Sequence, residues 1–291
     1  MPAEPRREPV PFGVERRDGV TLAGEAAGDG EPVVLVHGLT ATRRNVVQGS
    51  RHLLGRGRRL VSYDARGHGE SSPSPDPDAY EYVDLAGDLE AVLDAHDLER
   101  VPIAGSSMGA GTAVRLALDR PGRVSALVLI TPAYREPGQL GADDLAHWDR
   151  LAAALETGDV EAFVDASGAN ELPARWREPA RLATRQRIER HRDLGAVARA
   201  LRVVPRSQPF AGLDELERID IPVLVVGTRD EADPGHPLAT AEEYARRLPH
   251  AELAVEDPGD TPLAWQGARL SRAIGDFLES HSCGTRRTRS G

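Results

Sequence analysis

Short, uninterrupted apolar runs punctuate the chain at residues 33–36 (VVLV), 60–63 (LVSY), 101–104 (VPIA), 124–130 (VSALVLI) and 222–226 (PVLVV). Runs of this length and β-branched content are those of strands covered on both faces. Between them the apolar residues return every three or four positions, as at Leu85, Leu89, Val92 and Leu93 within 82–96, which is the period of one helix face. Strand and helix therefore alternate, and the pattern predicts an α/β fold with a mostly parallel twisted sheet and helices on both faces. At the front, 12–17 and 20–26 flank Asp18-Gly19 and predict a hairpin. Further helices are expected at 43–55, 237–248 and 267–278, and a further strand at 252–255.

The alternation stops after Thr131-Pro132. Residues 134–209 offer no strand pattern but four helical stretches, 142–155, 160–167, 179–191 and 194–201, and predict an inserted helical cap. The organisation expected is thus a core from 10–133 and 210–279, a cap from 134–209, and flexible termini at 1–9 and 280–291. In a sheet of this kind, active sites lie at the carboxyl ends of the strands.

One such end carries chemistry. Gly105-Ser106-Ser107-Met108-Gly109 joins the run at 101–104 to a helical run from Met108 to about Asp119. G-x-S-x-G between a strand and a helix forces a turn so tight that its serine is strained and its neighbours must be small. The serine hydroxyl then stands clear of the sheet, and the first amide of the helix points where negative charge would develop. Ser107 is the candidate nucleophile and the amide of Met108 a candidate oxyanion donor.

Composition narrows what this serine can do. The net charge is −10 with no basic stripe, which argues against a nucleic-acid partner. All 36 basic residues are arginine, so Schiff-base chemistry on lysine and a serine/lysine dyad are excluded. The single cysteine, Cys283, lies in the polar tail and allows neither an internal disulfide nor a cysteine metal site. With no apolar leader and no spanning run, the expectation is a cytoplasmic protein without a membrane partner.

Four segments together resemble the α/β-hydrolase family over roughly residues 12–278. They are His37-Gly38-Leu39 after the first buried strand, the turn Tyr63-Asp64-Ala65-Arg66-Gly67-His68-Gly69, the elbow at Ser107, and Gly227-Thr228-Arg229-Asp230 with Pro234. The resemblance implies a small-molecule carbonyl substrate, no cofactor and no metal. It assigns Ser107 as nucleophile, Asp230 as triad acid, and the amides of Leu39 and Met108 as oxyanion hole. It also implies a histidine after the last strand, where this chain reads Asp257-Pro258-Gly259-Asp260-Thr261-Pro262, with Asp260 at the histidine's place and none between His250 and His281.

The base must then come from elsewhere or be absent. His236, in Asp233-Pro234-Gly235-His236-Pro237, lies just past the seventh strand and is the leading substitute, as base or as substrate contact. Asp260 is a weaker candidate, because an ordinary aspartate is too acidic to act as a base near pH 7. His250 should sit at the far end of the sheet. His147 and His191 are expected on exposed helix faces of the insertion, and His37, His68, Asp64 and Arg66 in loop-fixing roles. Asp230, Glu231, Asp233, His236, Asp257 and Asp260 form an acidic group on two neighbouring loops, but without a recognised metal-ligand spacing. The expected activity is hydrolysis of a small ester, thioester, lactone or related carbonyl compound. The alternatives are a non-hydrolytic binding protein that kept the pocket, or a lyase or isomerase using the same oxyanion hole.

Overall fold

The structure is a computed structural model that describes residues 8–134, 141–229, 233, 235–257, 265 and 267–281. The chain opens with β1 (Val10–Glu15) and β2 (Thr21–Ala27), then β3 (Glu31–Val36), the short α1 (His52–Gly55) and β4 (Arg58–Tyr63). There follow α2 (Tyr82–Ala95), β5 (Val101–Ser106), α3 (Met108–Asp119) and β6 (Val124–Ile130). Four helices come next, α4 (Ala142–Glu156), α5 (Val160–Ala166), α6 (Ala174–Ile188) and α7 (Leu194–Val203). The chain returns through β7 (Val223–Gly227), α8 (Leu238–Arg247), β8 (Ala251–Val255) and α9 (Ala268–His281).

The strands form one sheet in the order β1-β2-β4-β3-β5-β6-β7-β8. The β1–β2 and β2–β4 pairs are antiparallel and the remaining five are parallel. The apolar runs in the sequence supply its centre: β3, β5, β6 and β7 bury nearly every side chain, because helices cover both faces. One face packs against α2, α3 and α8 through residues such as Leu89, Leu93, Val114 and Tyr244. The other packs against α9 through Leu270, Ile274, Phe277 and Leu278, with Trp265 alongside.

The four-helix insertion leaves the sheet between neighbouring strands β6 and β7 and has its own apolar cluster, including Leu151, Leu155, Phe163, Ile188, Val197 and Leu201. It is tied to the core from below: Leu39, in the loop after β3, packs into that cluster, and Ala200 and Val204 pack with Ala65 and Met108. Burying even a few such side chains contributes about 1.5–3 kcal/mol each. The insertion is therefore anchored over the carboxyl ends of the strands.

Local differences from the sequence pattern have physical causes. The hairpin turn is wider than two residues, with Arg16 N–H donating to Val20 O across it. Residues 43–49 are consecutive turns rather than a helix, because Arg43 is held by Asp64 and Glu70 and Thr42 by Asn45, which leaves only His52–Gly55 helical. Helix α6 begins five residues ahead of the predicted start and carries Pro179 within it. Pro179 is in the helix's second turn, so its missing amide removes a single hydrogen bond. The terminal segments 1–7 and 282–291, Cys283 included, lie outside the described residues. Among those described, no helix is long and apolar enough to cross a membrane.

Candidate active site

Ser107 adopts φ 50° and ψ −112°, a positive φ that a residue with a side chain rarely takes. Its amide donates to Ile130 O at 3.0 Å, pinning the turn to the end of β6. The flanking glycines are needed for space. A Cβ on Gly105 would overlap the Gly109 carbonyl, and one on Gly109 would lie 2.6 Å from the Val36 carbonyl carbon and 2.8 Å from His37 O. The turn at Ser107 is thus strained and packed on glycines, and the hydroxyl is left half-buried at its apex.

The loop after β3 runs beside it. Gly38 is close enough that a Cβ there would be 3.2 Å from Ser106 O and 3.4 Å from Ser107 Cβ. This brings Leu39, the next residue, alongside the elbow. The Met108 amide is the first of α3 and has no acceptor within its own helix.

An imidazole meets the serine. His236 Nε2 is 2.8 Å from Ser107 Oγ, and its Nδ1 is 2.8 Å from both carboxylate oxygens of Asp233. With Nδ1–H donating to Asp233, Nε2 presents its lone pair to the serine hydroxyl. The loop after β7 supplies both residues, and they are three positions apart. Of the earlier assignments, Asp230 and Asp260 lie outside the described residues. Asp233 was visible in the sequence only as one of several acidic residues. Its signal was the i, i+3 spacing to His236 across Pro234-Gly235, which lets a carboxylate reach back to the ring.

Around this line the motif residues fix the loops. Asp64 accepts from the Arg43 guanidinium, from the Arg43 amide at 2.7 Å and from the Glu70 amide at 3.0 Å. Arg66 is fully buried and makes a paired contact with the equally buried Asp88, Nε–Oδ2 2.7 Å and Nη2–Oδ1 2.6 Å, while Nη1 donates to Ala79 O at 2.8 Å. These are the loop-fixing roles read from the sequence. Glu256, at the end of β8, is buried and accepts from Thr228 Oγ1, the Arg229 amide and Trp265 Nε1. Trp265 Nε1 also donates to Gly227 O at 2.8 Å, so this ring ties β7 to the segment preceding α9.

His191 corrects one expectation. Instead of facing solvent it is buried, accepting the Gly69 amide on Nδ1 at 2.8 Å and donating Nε2–H to Thr40 O at 2.9 Å. The sequence pattern placed it on a helix, whereas it follows the end of α6 and turns inward. It stacks edge-on with His68, which lies beside His37 in turn; ring centroids are 5.6 and 5.2 Å apart. His37 accepts the Ala65 amide on Nε2 at 2.8 Å and donates to Gly38 O at 2.8 Å; His68 donates to Arg66 O at 3.0 Å. Burial lowers the pKa of all three: His37 below its ordinary value, His68 well below it, and His191 to about 4. The cluster is neutral at pH 7. His250 pairs with Asp220 at the start of β8, at the opposite end of the sheet from Ser107.

Comparison with known proteins agrees with this architecture. The family model for the alpha/beta hydrolase fold matches residues 31–266. A putative non-heme chloroperoxidase of Synechocystis is 29% identical over 285 residues, covering 93% of this chain and 99% of that protein. A putative carbamate hydrolase of Variovorax paradoxus is 34% identical over 148 residues, 51% of this chain and 54% of its own, so the match spans about half its length. Among solved structures, an esterase from Thermogutta terrifontis superposes with a TM-score of 0.76 at 24% identity, covering 94% of this chain and 99% of that one. An enol-lactonase from Burkholderia xenovorans gives 0.70 at 21% identity, with 91% and 97% covered.

Proposed function

The chain belongs to the α/β-hydrolase fold family, and we propose that within it the protein is a serine hydrolase of small esters, thioesters, lactones or related carbonyl compounds. The observation that carries this reading is the Asp233–His236–Ser107 line, with 2.8 Å at each of its links. Asp233 holds the imidazole in the tautomer whose Nε2 can accept a proton.

The steps follow from that geometry. His236 Nε2 takes the Ser107 hydroxyl proton as Oγ bonds to the substrate carbonyl carbon, and the carbonyl π electrons move onto oxygen. The resulting oxyanion faces the amides of Leu39 and Met108, with the positive end of the α3 dipole behind it. As the intermediate collapses, His236 returns the proton to the leaving oxygen, nitrogen or sulfur. Water then attacks the acyl-serine with His236 as base, and the acid departs with Ser107 regenerated. The insertion of helices α4–α7 acts as a cap, since its apolar residues pack against Leu39 and Met108 beside the nucleophile.

The non-hydrolytic alternative drew its support from the lack of a histidine at position 260. An imidazole 2.8 Å from the serine removes that support. The test is intact-mass labelling with a fluorophosphonate, alongside hydrolysis of 4-nitrophenyl acetate. Wild type should label stoichiometrically and turn over, Ser107→Ala should do neither, and His236→Ala should lose on the order of 10^6 in kcat. Asp233→Asn, which leaves the ring in place but in the wrong tautomer, should lose about 10^4. Unlabelled wild type, or full activity in His236→Ala, would defeat the reading.

A further inference from the structure

Helix α6 packs on α5 within the insertion and has two unlike faces. On its outer face the arginines are neutralised: Arg181 pairs with Asp165 at 2.5 Å, and Arg185 with Glu161 at 2.5 and 2.7 Å. Its inner face is a stripe at helical spacing, Thr184, Arg187, Ile188 and, in the turn that follows, His191; all but Arg187 are buried. His191 ends that stripe on Thr40 O, one residue from the Leu39 amide. Arg187 lies one turn earlier on the same face and is felt electrostatically by His191.

Unlike Arg181 and Arg185, Arg187 has no carboxylate paired with it among the described residues. It forms no ion pair or hydrogen bond among the described residues, and its Nε is buried without a partner. Its guanidinium lies within electrostatic range of Asp233, whose two oxygens are already engaged by His236. Loss of solvation outweighs that attraction and draws its pKa below the usual guanidinium value. An arginine stays charged even so. An unpaired guanidinium that is half withdrawn from water is costly, and a planar fork of five N–H donors is matched by a carboxylate.

We propose that Arg187 is the acid-recognition residue of the pocket: it binds a carboxylate on the acyl side of the substrate, so that the preferred substrates are small esters or lactones bearing a free acid group. This rests on the serine-hydrolase reading above and specifies its substrate class. The net charge of −10 makes such a preference informative, since the surrounding field disfavours an anionic substrate unless a local cation receives it.

The test compares matched esters that differ only in one charge: 4-nitrophenyl hydrogen glutarate and 4-nitrophenyl methyl glutarate. In the wild type the free acid should be preferred at least tenfold in kcat/KM. In Arg187→Met that ratio should fall to about one or below, while Arg187→Lys should keep part of it. A wild type without preference, or an Arg187→Met variant in which both rates fall with the ratio intact, overturns the proposal. The second result would make Arg187 a counter-ion of Asp233 only. A calorimetric arm does not depend on turnover. Ser107→Ala should bind monomethyl glutarate at least tenfold tighter than dimethyl glutarate, and Ser107→Ala/Arg187→Met should bind them alike. If neither nitrophenyl ester is hydrolysed by the wild type yet this binding difference is found, the hydrolase reading fails and the acid site stands. Equal binding in Ser107→Ala overturns the acid site itself.

Discussion

At pH 7 the neutral ring of His191 fastens the inserted helices to the loops after β3 and β4, and acid should work against that fastening. An unfolded chain protonates this histidine near its ordinary 6.5, whereas the folded protein resists until about 4. Between those values the unfolded state binds more protons, so stability is intact above pH 6.5 and falls progressively toward pH 4. The difference of 2.5 units, at about 1.4 kcal/mol per unit, gives roughly 3 kcal/mol lost through this group alone. His37 and His68 shift in the same direction and deepen the loss, while Asp64 opposes it and Arg187 favours it.

His191→Gln removes the titrating ring and keeps a donor for Thr40 O. At pH 7 the variant gives up one of two hydrogen bonds and should be less stable by about 1 kcal/mol. Because the wild type alone pays the protonation cost, the two stability curves should cross at roughly pH 6, with the variant more stable below. Urea unfolding followed by tryptophan fluorescence at pH 7, 6, 5 and 4.5 reads this directly. Curves that stay parallel down to pH 4.5 would refute the assignment of His191 as a buried, neutral clamp.

Two further outcomes test the scaffold. Gly109→Ala should abolish activity and cost on the order of 3 kcal/mol, since the new Cβ meets the backbone carbonyls of Val36, the last residue of β3, and of His37 just after it; fluorophosphonate labelling and urea midpoints check it. Asp88→Asn removes the buried charge paired with Arg66 and should cost about 3 kcal/mol by urea unfolding; a loss below about 1 kcal/mol would mean that Asp18, 3.0 Å from the same guanidinium, is sufficient to balance it.

The sheet, a strained turn at Ser107 and a run of helices between β6 and β7 were legible in the sequence because each is a local pattern. Apolar runs set strands, G-x-S-x-G sets a strained turn, and a period near 3.6 sets helices. What reaches across the fold was less legible. The resemblance directs attention to Asp230 and to position 260, both outside the described residues, and the chain itself offered His236 as the leading substitute; that His236 meets Ser107 and is held by Asp233 depends on the path of the loop after β7. Likewise the helical period at 179–191 gives a face without saying what the face meets. His191 turned out to be buried against Thr40 and Gly69, and Arg187 went unremarked, because packing partners some 120–150 positions away carry no local trace. Residues 43–49 read as helical by composition, yet side-chain bonds from Asp64, Glu70 and Asn45 compete with the helix and prevail.

The placement of Asp233 and His236 within four consecutive residues has a consequence for tolerance to change. When an acid and an imidazole sit on separate loops, any slippage between two strand ends stretches the link that joins them. Here that link is internal to one short turn, so its length is insulated from the relative motion of β7 and β8. The Asp233–His236 contact is thus local in sequence, whereas the contact to Ser107 spans 129 positions. If His236 is the base, as proposed, proton transfer asks nothing of the sequence after β8, and substitutions at Asp260 should leave the rate of hydrolysis unchanged.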